Sequence, residues 1–152
     1  MVDVKTEILI NLPKEIVSEF ASDPENVARW CTHIKSIEWN DQHPLRAGTK
    51  ILVNKRVMLR DQQHVYKVIE IIPGQKIVMR TISNGIRMET TVGLQAVNER
   101  ITCMTLRNRG TPHAFSRAIA PFFALAIRKA SSRDLKQLKY LLEVGNRSMA
   151  VL

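Results

Sequence analysis

Residues 76–94 read KIVMRTISNGIRMETTVGL, and the dipeptide Asn84-Gly85 at their centre decides how the chain folds. A two-residue type I′ hairpin needs positive φ at both central positions, and Asn-Gly tolerates this well. With the turn set there, Ser83 faces Ile86, Thr81 faces Met88, Met79 faces Thr90 and Ile77 faces Val92 on one surface, while Arg80 lies opposite Glu89 on the other. An opposed Arg/Glu pair suits a solvated face, whereas the Met, Thr, Ile and Val set suits a concave face turned toward a core.

The same pattern extends outward in both directions. From Thr49 to Arg109 runs rich in Val, Ile, Thr and Met alternate with turn signals near Asp61, at Pro73-Gly74 and at Asn98-Glu99, which predicts an antiparallel meander. Upstream, Val2–Ile10 alternates with Val4, Thr6, Ile8 and Ile10 on one side and reads as a strand. Asn11 and Pro13 end it, and Ile16, Val17, Phe20 and Ala21 follow at helical spacing. Asp23 then caps a second short helix that opens on Pro24 and carries Val27, Trp30 and Cys31 on its apolar stripe. Ile34–Asn40 reads as a strand and Asp41–Gly48 as a loop. Helical spacing takes over from Pro112 to about Glu143, with Gly145 as its stop signal. The expected class is therefore α+β: a curved seven-stranded antiparallel sheet around a long C-terminal helix, with two short helices after the first strand.

Carrying the register across a tight turn at Asn98-Glu99 puts Leu94 opposite Cys103, Val92 opposite Thr105 and Thr90 opposite Arg107. Arg107 and Arg109 then point inward, where an arginine on an apolar face demands a carboxylate, phosphate or carbonyl partner. The competing reading is that a bulge shifts the parity, or that both arginines sit at the sheet rim on apolar stems. Both readings stand at this point.

In the long helix Phe115, Ile119, Phe122 and Ala126 follow one stripe with Phe123 and Ile127 beside it, so the first half is apolar almost all round. The second half, RKASSRDLKQLKYLLE, is ordinarily amphipathic, with Leu135, Leu138, Leu141 and Leu142 inside. Pro121 predicts a kink or a late helix start. An apolar half-helix of this kind is plain core, a cavity wall, or a surface for membrane or partner. The inward Met79 and Met88, with Met58, fit a cavity, since flexible thioethers line adaptable sites, but methionine also fills gaps in ordinary cores.

The chain has 152 residues, 45% of them hydrophobic, enough for one core without disulfides, and is expected to form a single domain over residues 1–152. Cys31 and Cys103 suggest no disulfide framework, and MVDVKTEILINLPKE does not read as a secretory signal, so a cytoplasmic location is expected. The longest apolar run, Ala118–Ile127, is about half of the ~20 residues needed to span a bilayer, although peripheral membrane contact stays open. The net charge of +9 is concentrated late: residues 101–152 hold nine Lys/Arg against two Asp/Glu. Arg128, Lys129, Arg133, Lys136 and Lys139 could serve RNA, but they spread over more than one helix face and the chain has only eight aromatic residues, which argues against a base-stacking platform. His33, His43, His64 and His113 show no metal-type spacing and read as surface or loop residues. No Gly-rich phosphate loop, G-x-S-x-G elbow or HExxH is present, and no metal or cofactor is expected.

The opening ILINLPKEIVSEFASDPENVARW, the run VYKVIEIIPGQKIVMRT and the ending RKASSRDLKQLKYLLE together resemble the SRPBCC superfamily, also called START-like or polyketide cyclase/dehydrase-like proteins. The resemblance covers nearly the whole chain. It implies a helix-grip fold with a deep hydrophobic pocket whose users bind lipids, sterols, polyketides or quinones, and it implies no single chemistry. The expected function is binding or transport of a hydrophobic or amphiphilic molecule. The alternatives are a polyketide cyclase/dehydratase, with Arg107 holding an enolate, and an RNA- or ribosome-associated protein. Expected ligand-binding residues are Trp30, Met79, Thr81, Met88, Thr90, Thr105, Arg107, Phe115, Ile119, Phe122 and Phe123; no catalytic residue is assigned.

Overall fold

The computed structural model describes residues 2–39, 45–57, 59–83, 86–112 and 120–151. Its order is β1 (Val2–Ile10), α1 (Lys14–Ala21), α2 (Pro24–Trp30), β2 (Ile34–Glu38), β3 (Lys50–Val57), β4 (Arg60–Ile72), β5 (Lys76–Ser83), β6 (Ile86–Ala96), β7 (Thr102–Pro112) and α3 (Ala120–Val151). The seven strands form one antiparallel sheet in the order β1-β7-β6-β5-β4-β3-β2. Because β1 and β2 are consecutive in sequence yet occupy opposite edges, α1 and α2 must carry the chain from one edge to the other. Asp23 accepts a hydrogen bond from the Glu25 N–H at 3.0 Å and Pro24 opens α2, as the sequence indicates.

Several expectations shift at their boundaries. Pro112, read as the start of the long helix, is instead the last residue of β7, and the described part of that helix runs from Ala120. Gly145 does not stop α3, which continues to Val151. The turn placed near Asp61 lies between Val57 and Arg60, with Leu59 at φ 67. Asn84-Gly85, Met58, Phe115, Ile119, His43 and His113 lie outside the described residues.

The register inferred around residues 84–85 holds: Ser83 pairs with Ile86, Thr81 with Met88, Met79 with Thr90, and Ile77 with Val92. Arg80 donates to Glu89 at 3.1 Å on the convex face. The next register does not hold. Val92 pairs with Leu106, Thr90 with Asn108 and Leu94 with Met104, because Ala96 and Thr102 close a five-residue loop rather than a tight turn. The Asn98 side chain stabilises that loop by accepting the Arg100 and Ile101 N–H groups at 2.7 and 2.9 Å, and the Val97 N–H reaches the Ile101 carbonyl at 2.9 Å. One extra residue reverses which side chains of β7 face inward.

A second parity change occurs in β4. Ile72 pairs with Lys76 and Ile71 with Ile77, but Val68 pairs with Met79, so a bulge at Ile69 separates two registers. Beyond it Tyr66, His64 and Gln62 turn to the concave side.

The core has two parts. Ile10, Leu12, Val17, Trp30, Met104, Leu106, Leu135, Leu138 and Leu142 are buried together where β1, β7, α1 and the second half of α3 meet. This end is also fastened by polar contacts: Lys139 donates to the Leu9 carbonyl and to Glu143, both at 2.7 Å, and Glu143 accepts the Asn11 N–H at 2.9 Å. A smaller cluster of Ile51, Val53 and Val68 lies under β3 and β4.

Candidate functional site

Between the concave face and the helices α2 and α3 lies a cavity of about 380 Å³. Small-molecule sites run from ~300 to 1,000 Å³, so the space fits one compact ligand. Its walls are mainly apolar: Val27, Trp30, Ile34, Ile37, Ile51, Val53, Ile77, Met79, Met88, Val92, Leu106, Phe123 and Ile127.

Of the residues singled out in the sequence, Trp30, Met79, Thr81, Met88, Thr90 and Phe123 line this space. Thr105, Arg107, Arg109 and Phe122 do not, and the first three are corrected by the five-residue loop. Thr105 lies across from Gly93 on the convex face, so close that a Cβ on Gly93 would approach its Oγ1 to 2.6 Å. Arg107 grips Asp3 there through Nε at 2.9 Å and Nη2 at 2.6 Å. The guanidinium holds the Asp3 carboxyl below its ordinary range. Arg109 donates to Glu89 at 3.2 Å, so Glu89 sits between Arg80 and Arg109. These arginines found carboxylates, as their chemistry demands, but outside the pocket. Phe122 is 73% exposed, because α3 turns Phe123, Ile127, Ala130, Ser131 and Asp134 inward instead.

The exposed side of α3 gathers Leu125, Arg128, Lys129, Arg133 and Lys136 around a shallow depression. Four of the five cations noted in the sequence thus share one face; Lys139 is held at Leu9 and Glu143.

The polar groups of the cavity fall into four sets. Thr81 donates to the Val65 carbonyl at 2.9 Å. Thr90 donates to Asn108 Oδ1 at 2.7 Å and Asn108 Nδ2 to Ser131 Oγ at 3.2 Å, a chain from sheet to helix in which neither strand residue is left without a partner. Next to α2, Asp134 accepts from the Thr32 N–H at 3.1 Å and from Thr32 Oγ1 at 3.2 Å, and burial raises its carboxyl pKa despite those bonds. Burial also pushes the Cys31 thiol far up, with Asp134 adding to the effect, which favours the protonated thiol.

The fourth set was missed in the sequence. Lys55 of β3 and Gln62, His64 and Tyr66 of β4 line the cavity side by side, paired across the strands as Lys55 with Gln62 and Val53 with His64. Lys55 Nζ donates to the Tyr66 hydroxyl and lies 4.7 Å from the centre of its ring. His64 Nε2 is 3.0 Å from Gln62 Oε1. Burial, then the Lys55 charge, lowers the His64 pKa and favours the neutral ring. Two of the four histidines read as surface or loop residues, His33 and His64, therefore belong to the cavity wall. Among the described residues, no group of three or more His, Cys, Asp or Glu side chains could hold a metal ion. No described helix is long and apolar enough to cross a membrane.

Similar architectures are known. A START superfamily protein from Mycobacterium smegmatis superposes with a TM-score of 0.76 at 11% identity, covering 93% of this chain and 97% of that one. The Zhui aromatase/cyclase from Streptomyces sp. R1128 gives 0.77 at 13% identity, covering 93% of each chain. A Thermus thermophilus protein gives 0.77 at 18% identity over 94% of this chain and 98% of that one. Comparison with curated proteins finds no match. A sequence model described as polyketide cyclase / dehydrase and lipid transport matches residues 1–143.

Proposed function

This chain belongs to the polyketide cyclase / dehydrase and lipid transport family, and from that premise we propose that it binds a hydrophobic or amphiphilic small molecule in the cavity, as a carrier or sensor. The observation that carries the reading is the apolar cavity of about 380 Å³, bounded by sheet and helices, next to a buried core that shares Trp30 and Leu106 with its wall. Native interiors leave few voids larger than a water molecule, so a space of this size beside a buried core is better explained as a binding site than as imperfect packing. We take the whole span 1–152 as one START-like domain. The free Cys31 and Cys103 fit a reducing, cytoplasmic setting. The partner in this reading is the small molecule.

The test is saturable binding of the neutral fluorophore N-phenyl-1-naphthylamine, with mass spectrometry of the solvent extract of freshly purified protein. Saturation and a co-purified lipid, polyketide or quinone support the reading. Absence of both defeats it.

A polyketide cyclase/dehydratase is the second reading, favoured by one observation: the cavity wall carries His64, Tyr66 and Asp134, groups able to move protons. Arg107, the residue expected to hold an enolate, has no part in it, since it faces away from the cavity. Conversion of a poly-β-ketone by the purified protein, lost in His64→Ala, would favour this reading over a carrier.

A further inference from the structure

The Lys55 corner differs from the other polar sets of the cavity in its hydrogen-bond balance. Thr81, Thr90, Asn108, Ser131 and Asp134 each find a protein partner. Lys55 directs one N–H to the Tyr66 oxygen, which leaves the phenolic proton and two ammonium protons with no acceptor among the described residues. No carboxylate among those residues forms an ion pair with Lys55. Donors left over in a half-buried apolar setting are costly unless something accepts from them.

We propose that this corner is a head-group site for a monocarboxylate amphiphile, its carboxylate accepting from Lys55 and Tyr66 while its apolar body fills the space toward Met79 and Ile127. The charge state follows from the neighbours. One ammonium is present, unpaired with any carboxylate among the described residues, and the only carboxyl among the described lining residues is Asp134 on the facing helix, so a single negative charge is compensated and a phosphate dianion is not. The oxygen geometry follows too: Lys55 and Tyr66 offer two donors side by side, which suits the two oxygens of a carboxylate. This rests on the cavity being a binding site, and it assigns the ligand class there.

The test uses matched probes, decanoate and 1-decanol, as competitors of N-phenyl-1-naphthylamine at a pH where decanoate is ionised. The wild-type protein is expected to favour decanoate over 1-decanol by about tenfold or more, the worth of a hydrogen bond to a charged group. Lys55→Met should erase that preference while the neutral fluorophore still binds, Lys55→Arg should retain most of it, and Tyr66→Phe should lower it in part. Circular dichroism establishes that each variant is folded; should Lys55→Met fail to fold, the Arg and Phe variants carry the same comparison. A wild-type protein that binds the fluorophore yet treats both competitors alike, or a folded Lys55→Met that keeps the preference, overturns the head-group assignment alone. No fluorophore binding at all overturns the reading of the cavity, and this assignment with it.

Discussion

The two ends of α3 lie against the same sheet and do opposite things. Toward its C-terminal half, Leu135, Leu138 and Leu142 are buried against Ile10, Leu12, Val17 and Met104, and the end is closed. Toward its N-terminal half, Phe123, Ile127 and Ala130 look across an open space to Val53, Met79 and Met88. The closed end receives three leucines from the helix and α1 from the chain crossover. The hollow end receives Phe123, Ile127, Ala130, Ser131 and Asp134 from the helix, which line the cavity across from the sheet. One end therefore supplies stability and the other supplies room.

That division predicts effects of unequal size. Leu138→Ala removes a fully buried side chain at the closed end and should lower stability by about 2–5 kcal/mol, read from a denaturant titration, without weakening binding of N-phenyl-1-naphthylamine in the folded fraction. A matching loss of probe affinity would show that the two ends are not independent. Ala130→Phe places a benzyl group where a methyl lines the cavity. It should abolish probe binding while costing less stability than Leu138→Ala, because the space to accept the ring already exists.

Asp134 gives a pH-dependent contrast. Burial raises its folded pKa above the unfolded value, so the folded state holds the proton more tightly, and stability falls as pH rises through that interval. Asp134→Asn keeps an acceptor for Thr32 and should remove this slope; a wild-type stability profile identical to that of the variant across the acid range would refute it. The smallest effect is expected outside both ends. Arg107→Leu loses an exposed pair with Asp3, so it should leave ligand binding unchanged and stability within error. A drop in probe affinity would put Arg107 back at the cavity.

Much of this contrast was legible in the residues. The leucine stripe of the second half of α3 and the apolar character of the first half both follow from helical spacing. Among the expected ligand-binding residues that do line the cavity, most lie on elements whose register or stripe is set locally: Trp30 on a capped helix, and Met79, Thr81, Met88 and Thr90 on the hairpin around residues 84–85. Phe122 and Phe123 show where such local signals stop. In a helix apolar all round, spacing does not say which side meets the sheet, and the structure turns Phe123 in and Phe122 out.

Arg107 and Lys55 show it again from opposite directions. A cation was expected inside the cavity at Arg107; the cation there is Lys55. Alternation from the core residues Ile51 and Val53 does point to Lys55, the next position on that face of β3. On β4 the signal fails, since counting from Pro73-Gly74 without the bulge at Ile69 sends Lys67 inward and Tyr66 outward.

The sequence by itself determined the kinds of element, their order and the register of the hairpin around residues 84–85, because each depends on interactions among near neighbours: caps, turn chemistry and periodicity. Only the tertiary structure decided which side chains line the cavity beyond that hairpin. A five-residue loop after β6 and one extra residue in β4 each shift a side-chain period of two by one, and such a shift moves every later residue of the strand to the other face. The cavity itself belongs to no segment. It is the volume bounded by the concave face on one side and by α2 and α3 on the other.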